Sequence, residues 1–290
     1  MTNSIRLFLV TAGMAGAAAV QTEPTKPLTF DVASVRPNKS QDASGARIEF
    51  LPGGRFTAIN APLWFIVLAA YNLPFRSNRL TGGPDWIRSE RYDIDAKAEK
   101  DAIPSGLPAK AREARMRPML QALLADRFKM TVRGEIKERP AYVLAVAKNG
   151  PKLQKSKREE KDCPELEPKN RVELELSCHF PSGGQGNGIH ARAVDMSDVV
   201  QIVESFSGRP FVDHTGLKGL FDIDTEGWVP LIPRPGPPPG TEPSAEDIAM
   251  ADPARPTLFI IFDRLGLKME SQNAPVATFV IDHAERPTEN

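Results

Sequence analysis

The chain has 290 residues, with 37 basic and 37 acidic side chains, so it is formally neutral at pH 7. That balance leaves no global field to draw in nucleic acid or an anionic membrane surface. Apolar residues make up 41%, a little low for a globular protein, and the shortfall sits in two long polar inserts.

The run from Ile5 to Val20 carries a single Arg6, then Leu7-Phe8-Leu9-Val10, then an Ala- and Gly-rich segment ending Ala17-Ala18-Ala19. A charged start, a short apolar core and small residues at the end describe a secretory signal peptide over residues 1–19, cut before Val20. The run is too short and too Gly-broken for a membrane span, which needs roughly 20 apolar residues. No Cys follows the cut, which argues against a lipoprotein. The expectation is an exported protein, periplasmic or extracellular, with no membrane span after signal removal.

Phe30 to Pro37 alternates apolar and polar residues and begins the mature fold as a strand. Residues 38–46 are a polar loop, and Ile48 and Phe50 start a hairpin whose turn is Pro52-Gly53-Gly54. Leu63, Val67, Leu68 and Tyr71 then fall on one face of a helix. An extended run from Leu80 to Asp95 is broken at Gly82-Gly83-Pro84. Residues 99–115 read as a charged, Pro-containing loop before a second helix, Met116 to Phe128. A strand from Phe128-Lys129-Met130, Pro140 and a strand from Ala141 to Ala147 complete this half.

The same order recurs. Phe180-Pro181-Ser182-Gly183-Gly184 echoes Phe50-Leu51-Pro52-Gly53-Gly54, and Ile189-His190-Ala191 matches Phe56-Thr57-Ala58 at a constant offset of 133. A helix carries Met196, Val199, Val200, Val203 and Phe206 on one face. The run Pro210 to Asp224 is broken at Gly216 and Gly219 and ends Phe221-Asp-Ile-Asp224, as the first ends Tyr92-Asp-Ile-Asp95. A second helix, Leu258 to Leu267, leads into Leu267-Lys268-Met269, Pro275 and a strand from Val276 to Ile281. The expected fold class is therefore α+β by tandem duplication. Each half reads hairpin, helix, hairpin, helix, hairpin, with helices packed on antiparallel sheet. The first repeat covers 28–153 and the second 176–290, joined by a polar linker at 154–175. A Pro-rich insert at 229–256 holds nine prolines and reads as a solvated, partly polyproline loop.

Cys163 and Cys178 flank a polar stretch, and in an exported chain an even pair this close reads as a disulfide. Two cysteines alone do not make a zinc site, and His179 beside Cys178 is a weak reason to propose one. Asp93 and Asp95, like Asp222 and Asp224, sit two apart in strands, so each pair shares a face. Such pairs could hold calcium or act as general acid and base, but their recurrence at one point of both halves reads as framework. The histidines His179, His190, His214 and His283 lack the spacing of a zinc protease. The dyads Asp213-His214 and Asp282-His283 point to opposite faces of their strands. No nucleophile elbow is present, and the Gly-Gly pairs belong to turns rather than a phosphate loop. Trp64, Trp86 and Trp228 could stack on sugars, though core or rim positions fit them better. No cofactor is expected.

Several stretches resemble a known family: Phe30 to Asn38, Gly53 to Ala58, Gly82 to Trp86, Tyr92 to Ala98, Leu124 to Met130, Ala147 to Leu153, Val212 to Gly219, Leu265 to Ser271 and Val280 to Pro287. Together they look like a large paralogous family of exported soil-bacterial (acidobacterial) proteins classed as a domain of unknown function. The resemblance spans the chain from about Phe30 onward and implies no established activity and no functional residues. Some of those relatives look like the sensor end of membrane-bound antirepressor-type metallopeptidases, which favours sensing or binding. Met196 to Asp224 is also similar to the short N-terminal domain of secretins and TonB-dependent receptors, which implies protein binding across the envelope.

The functional expectation is a non-enzymatic binding or interaction module of the cell envelope, with an envelope protein or ligand as partner. An exposed sheet edge would allow strand addition. The alternative is an envelope hydrolase that uses Asp93, Asp95, Asp222 and Asp224 where the halves meet.

Overall fold

The computed structural model describes residues 28–40, 45–163, 173, 177–231 and 254–287. The expected signal peptide, half of the polar linker and most of the Pro-rich insert lie outside these residues.

The first half runs β1 (Phe30–Asn38), β2 (Arg47–Leu51), β3 (Arg55–Pro62), α1 (Leu63–Ala70), β4 (Leu80–Gly82), α2 (Trp86–Ser89), β5 (Arg91–Ala98), α3 (Ala109–Arg127) and β6 (Thr131–Val146). The second runs β7 (Gln154–Lys155), β8 (Ser182–Gly184), β9 (Gly188–Val194), α4 (Met196–Glu204), β10 (Phe211–Asp213), β11 (Phe221–Asp224), α5 (Leu258–Arg264) and β12 (Leu267–His283). The fold is mixed α+β, with three four-stranded sheets.

Two outer sheets follow one pattern. The first is ordered β1-β5-β3-β2 and the second β7-β11-β9-β8, and every pairing in both is antiparallel. Alternation explains their faces: on β5, Tyr92, Ile94, Ala96 and Ala98 are buried while Asp95 and Lys97 are exposed. Helix α1 is apolar along its whole length and buries Leu63, Ile66, Val67, Leu68 and Ala70. Helix α4 is amphipathic and begins at a capping box, in which Asp195 accepts from the Ser197 and Asp198 N–H groups and Asp198 reaches back to the Asp195 N–H.

The third sheet is shared between the halves, in the order β10-β6-β12-β4. Strands β6 and β12 pair antiparallel along nearly their whole length, from Leu267↔Val146 to His283↔Thr131. Short β4 runs parallel to β12 (Leu80↔Phe279), and β10 runs parallel to β6 (Phe211↔Tyr142). The Gly83 N–H donates to the Ile281 carbonyl, and the His214 N–H to that of Leu144, each at 2.8 Å. Gly82, at φ 78°, lets β4 lie this close, since a Cβ there would stand 2.5 Å from the Ile281 carbonyl oxygen.

This pairing corrects the expected hairpin series. Leu80 to Asp95 is not a hairpin, because β4 joins the shared sheet while β5 joins the first outer sheet. Likewise β10 and β11 part to different sheets. The closing hairpins are single long strands, with Pro140 opposite Asn273 and Pro275 opposite Glu138. A third strand covers only Tyr142–Leu144 of β6 and Phe279–Ile281 of β12. Both prolines thus lie where one flank is an open edge, which tolerates them. Helix α3 also starts earlier than expected, within the charged stretch read as loop. Its Arg112 is buried, with Nε donating to the Phe50 carbonyl at 3.0 Å.

Two cores result, and each borrows from the other half. Ile281 of β12 lies in the first core with Phe56, Ile66, Tyr92 and Phe128. Tyr142 and Leu144 of β6 lie in the second, with Val199, Phe221, Trp228 and Phe262. A small apolar cluster of Ala141, Val143, Ala274 and Val276 sits on the shared ladder.

Candidate functional site

The paired aspartates occupy matched places in the two outer sheets. Asn60 of β3 (φ 51°) and Ala193 of β9 (φ 49°) each take a left-handed backbone beside an irregular pairing register. The buried Asn60 N–H donates to Asp93 Oδ1 at 2.8 Å, and the buried Ala193 N–H donates to Asp222 Oδ1 at 2.9 Å. Asp93 Oδ1 also accepts from Asn38 Nδ2 at 2.9 Å. Each first aspartate therefore satisfies an N–H that the ladder leaves over.

The second aspartates face solvent. Asp95 takes a two-pronged contact from Arg55, at 2.9 and 2.6 Å, and the Arg55 hydrogen bond holds its carboxyl below the usual range. Asp224 lies 2.8 Å from His190 Nδ1, and His190 Nε2 donates to the Asn187 carbonyl at 2.7 Å. Asp93 and Asp95 thus sit on one outer sheet and Asp222 and Asp224 on the other. Among the described residues, none of the four joins a group of three side chains able to share a metal ion.

Trp228 is fully buried, a core residue. Trp64 lies under the Arg88 guanidinium at 4.0 Å and Trp86 under that of Arg286 at 5.0 Å.

The densest polar cluster lies beside the disulfide. Cys163 and Cys178 are bonded, with Cα atoms 5.5 Å apart. His179 follows with φ 59° and a ring held between two carboxylates. Its Nδ1 is 2.6 Å from Asp198 Oδ2, and its Nε2 is 3.0 and 3.2 Å from the Glu160 oxygens. Ionised carboxylates only accept, so the arrangement suits an imidazolium that donates from both nitrogens. Burial opposes that charge, but the Asp198 hydrogen bond and the charges of Asp198 and Glu160 outweigh it and raise the His179 pKa.

Lys110, near the start of α3, closes the cluster from the other half. Its Nζ donates to Asp195 Oδ2 at 2.5 Å, Ser197 Oγ at 2.5 Å and Asp198 Oδ1 at 3.0 Å. Burial would raise the Asp195 pKa, yet hydrogen bonds from Lys110 and Ser197 bring it down to about 2.

A cleft of about 440 Å³ opens beside this cluster, lined by Lys155, Ser156, Arg158, Glu159, Glu160, Asp195, Lys218, Gly219 and Leu220. Its acidic walls are already neutralised: Glu160 by His179, Asp195 by Lys110 and Glu159 by Lys161. Lys155 and Lys218 have no carboxylate partner among the described residues.

Reading the sequence missed this site. Its members Lys110, Glu160, His179, Asp195 and Asp198 are scattered over 88 positions. Its local signals are His179 beside Cys178 and Asp195-Met-Ser-Asp198 ahead of an apolar helix, a capping pattern that places two carboxylates at one helix start.

No curated protein and no solved structure matches the chain. A family model described as a protein of unknown function, DUF3738, matches residues 65–284. That span runs from within α1 to just past the end of β12, and the chain belongs to the DUF3738 family of proteins of unknown function.

Proposed function

We propose that the protein is an exported, non-catalytic binding module of the cell envelope, periplasmic or extracellular, and that its ligand brings an anionic group to the cleft beside Cys163–Cys178. One observation carries the reading: the cleft's acids are spent on their own partners, while Lys155 and Lys218 have no carboxylate partner among the described residues. A disulfide fits an oxidising compartment, and the likeness of Met196–Asp224 to envelope docking domains favours a protein ligand. We also infer that the halves, 28–153 and 176–290, arose by tandem duplication. The matched orders β5-β3-β2 and β11-β9-β8 and the matched Asp93 and Asp222 bonds support that origin. What weighs against the hydrolase alternative is that each candidate carboxylate is engaged within its own sheet.

The test is an NMR titration with inorganic phosphate and with a glutamate-rich peptide. Shifts should concentrate at Lys155, Ser156 and Lys218–Leu220 and vanish in Lys155→Glu/Lys218→Glu. Shifts elsewhere, or none with either probe, would overturn the anionic-ligand reading.

A further inference from the structure

We propose that reduction of the Cys163–Cys178 disulfide uncovers a zinc site built from Cys163, Cys178, His179 and Glu160. The Cys163 Sγ, a ring nitrogen of His179 and a carboxylate oxygen of Glu160 all lie within 4.8 Å of one another. Ligand atoms around one tetrahedral zinc stand roughly 3.3–3.8 Å apart, given bonds of about 2.0–2.3 Å. Small side-chain rotations would therefore close the three around an ion. The Cys178 sulfur is bonded to that of Cys163, so the freed thiolate begins next to the same point. Two thiolates, an imidazole and a carboxylate form a ligand set that zinc accepts.

The second shell is in place as well. His179 Nε2 faces Glu160, on the side of the proposed ion, while Nδ1 is held by Asp198. A carboxylate on the far nitrogen is the usual way a metal-bound imidazole is oriented. Cys163 is buried and Glu160 is half exposed, which gives the ion an entry on the acidic side.

The chemistry balances with a dithiol as reductant. It gives two electrons and two protons to the Cys163–Cys178 bond, leaving two thiols, and is itself oxidised to a disulfide. Zinc then displaces both thiol protons, so at least two protons leave per ion bound. With the disulfide made, both sulfurs are spent on each other and the site is closed. Metal occupancy would thus report the thiol redox state around the protein. The inference stands apart from the anion reading of the cleft, since it uses neither Lys155 nor Lys218.

Cobalt(II) is the probe, added to the mature protein before and after anaerobic dithiol reduction and removal of the reductant. The reduced protein should take up one cobalt per chain with the strong absorption of tetrahedral cobalt–thiolate bonds, and zinc should displace it. Zinc added in weak buffer should release at least two protons per ion. The disulfide form should show no such absorption, nor should Cys163→Ser/Cys178→Ser. Glu160→Gln and His179→Gln should each weaken zinc at least about tenfold. No thiolate absorption on reduction would overturn the proposal. So would equal binding by the disulfide form, unchanged affinity in both single variants, or a reduced chain that unfolds and is not refolded by zinc.

Discussion

The first outer sheet is built from strands of five to nine residues and lies against the 19-residue α3, whereas the second has strands of two to seven residues and shares its core with the seven-residue α5. The strand order is the same, so topology does not account for the difference. What the second sheet lacks in buried apolar length it has in cross-links: a disulfide, and the polar cluster of Glu160, His179, Asp198, Lys110 and Asp195. Two sheets of one strand order can be held by different forces, one by packing and one by staples.

The sharpest test lies where the two halves touch. Glu204 of α4 is 2% exposed and accepts from Ser77 Oγ at 2.8 Å, Arg79 Nε at 2.9 Å and the Phe211 N–H at 3.1 Å. Glu204→Ala leaves Arg79 and a buried N–H without their acceptor, and should cost about 3–5 kcal/mol. Urea unfolding should remain a single transition, because the shared sheet ties the halves together. Two separate transitions would show that each outer sheet is a unit of its own.

Next in size is the disulfide. Its removal should cost about 3 kcal/mol in the chain-entropy account. Hydrogen exchange should quicken in β8, β9 and β11 and stay unchanged in β1, β3 and β5. Equal quickening in both sheets would break the contrast.

Asp93→Ala and Asp222→Ala then compare the same bond in the two settings. Each strands a buried N–H, and each should lower stability by about 1–3 kcal/mol. Thermal denaturation of the two variants measures whether the matched places are equally strong.

Both sheets contribute to the pH response, the first through Asp95 at its exposed Arg55 pair and the second through His179 and Asp195. His179 has a raised folded pKa, so its contribution is full below the unfolded value of about 6.5 and is lost as pH rises through the folded value. Asp195, held at about 2, contributes above its unfolded value of about 3.9, and that contribution is lost as pH falls toward 2. Melting temperatures across pH should show both limbs, and His179→Asn should flatten the alkaline one. The smallest effect is expected at Arg55→Ala on the first sheet. Its pair with Asp95 is solvent-exposed on both sides and should be worth less than about 1 kcal/mol in the same melts.

Local features were legible. Helices α1 and α4 lie where 3.6-residue spacing put them, and the disulfide pairs the cysteines expected. Strand partners were not legible, because pairing is set by distant chain. Leu80–Gly82 is too short to announce a partner, and finds it in β12. Pro140 and Pro275 read as breaks because a ladder interior excludes proline, whereas the structure sets both on an open flank of β6 and β12. The four aspartates lie two apart in β5 and in β11, as the sequence spacing puts them. Their link to Asn60 and Ala193 needed the backbone, since no residue type marks a left-handed turn at an alanine. The partners of His179 were hidden by distance along the chain; its place beside Cys178 and the Asp195-Asp198 capping pattern were local.

The shared ladder has a consequence for synthesis. Thr81 of β4 bonds to Phe279 of β12 across 198 positions, and Ile281 fills the first core. A ribosome that has finished the first half has therefore not finished its interior, and β4 has no neighbour until the closing strand emerges. Contacts of such sequence separation slow folding, because the intervening loop must be closed before they form. The nascent first half would wait with an open edge and an unfilled core, which makes it a natural client for a holding chaperone. A fragment ending before β12 would keep that unfinished state for good.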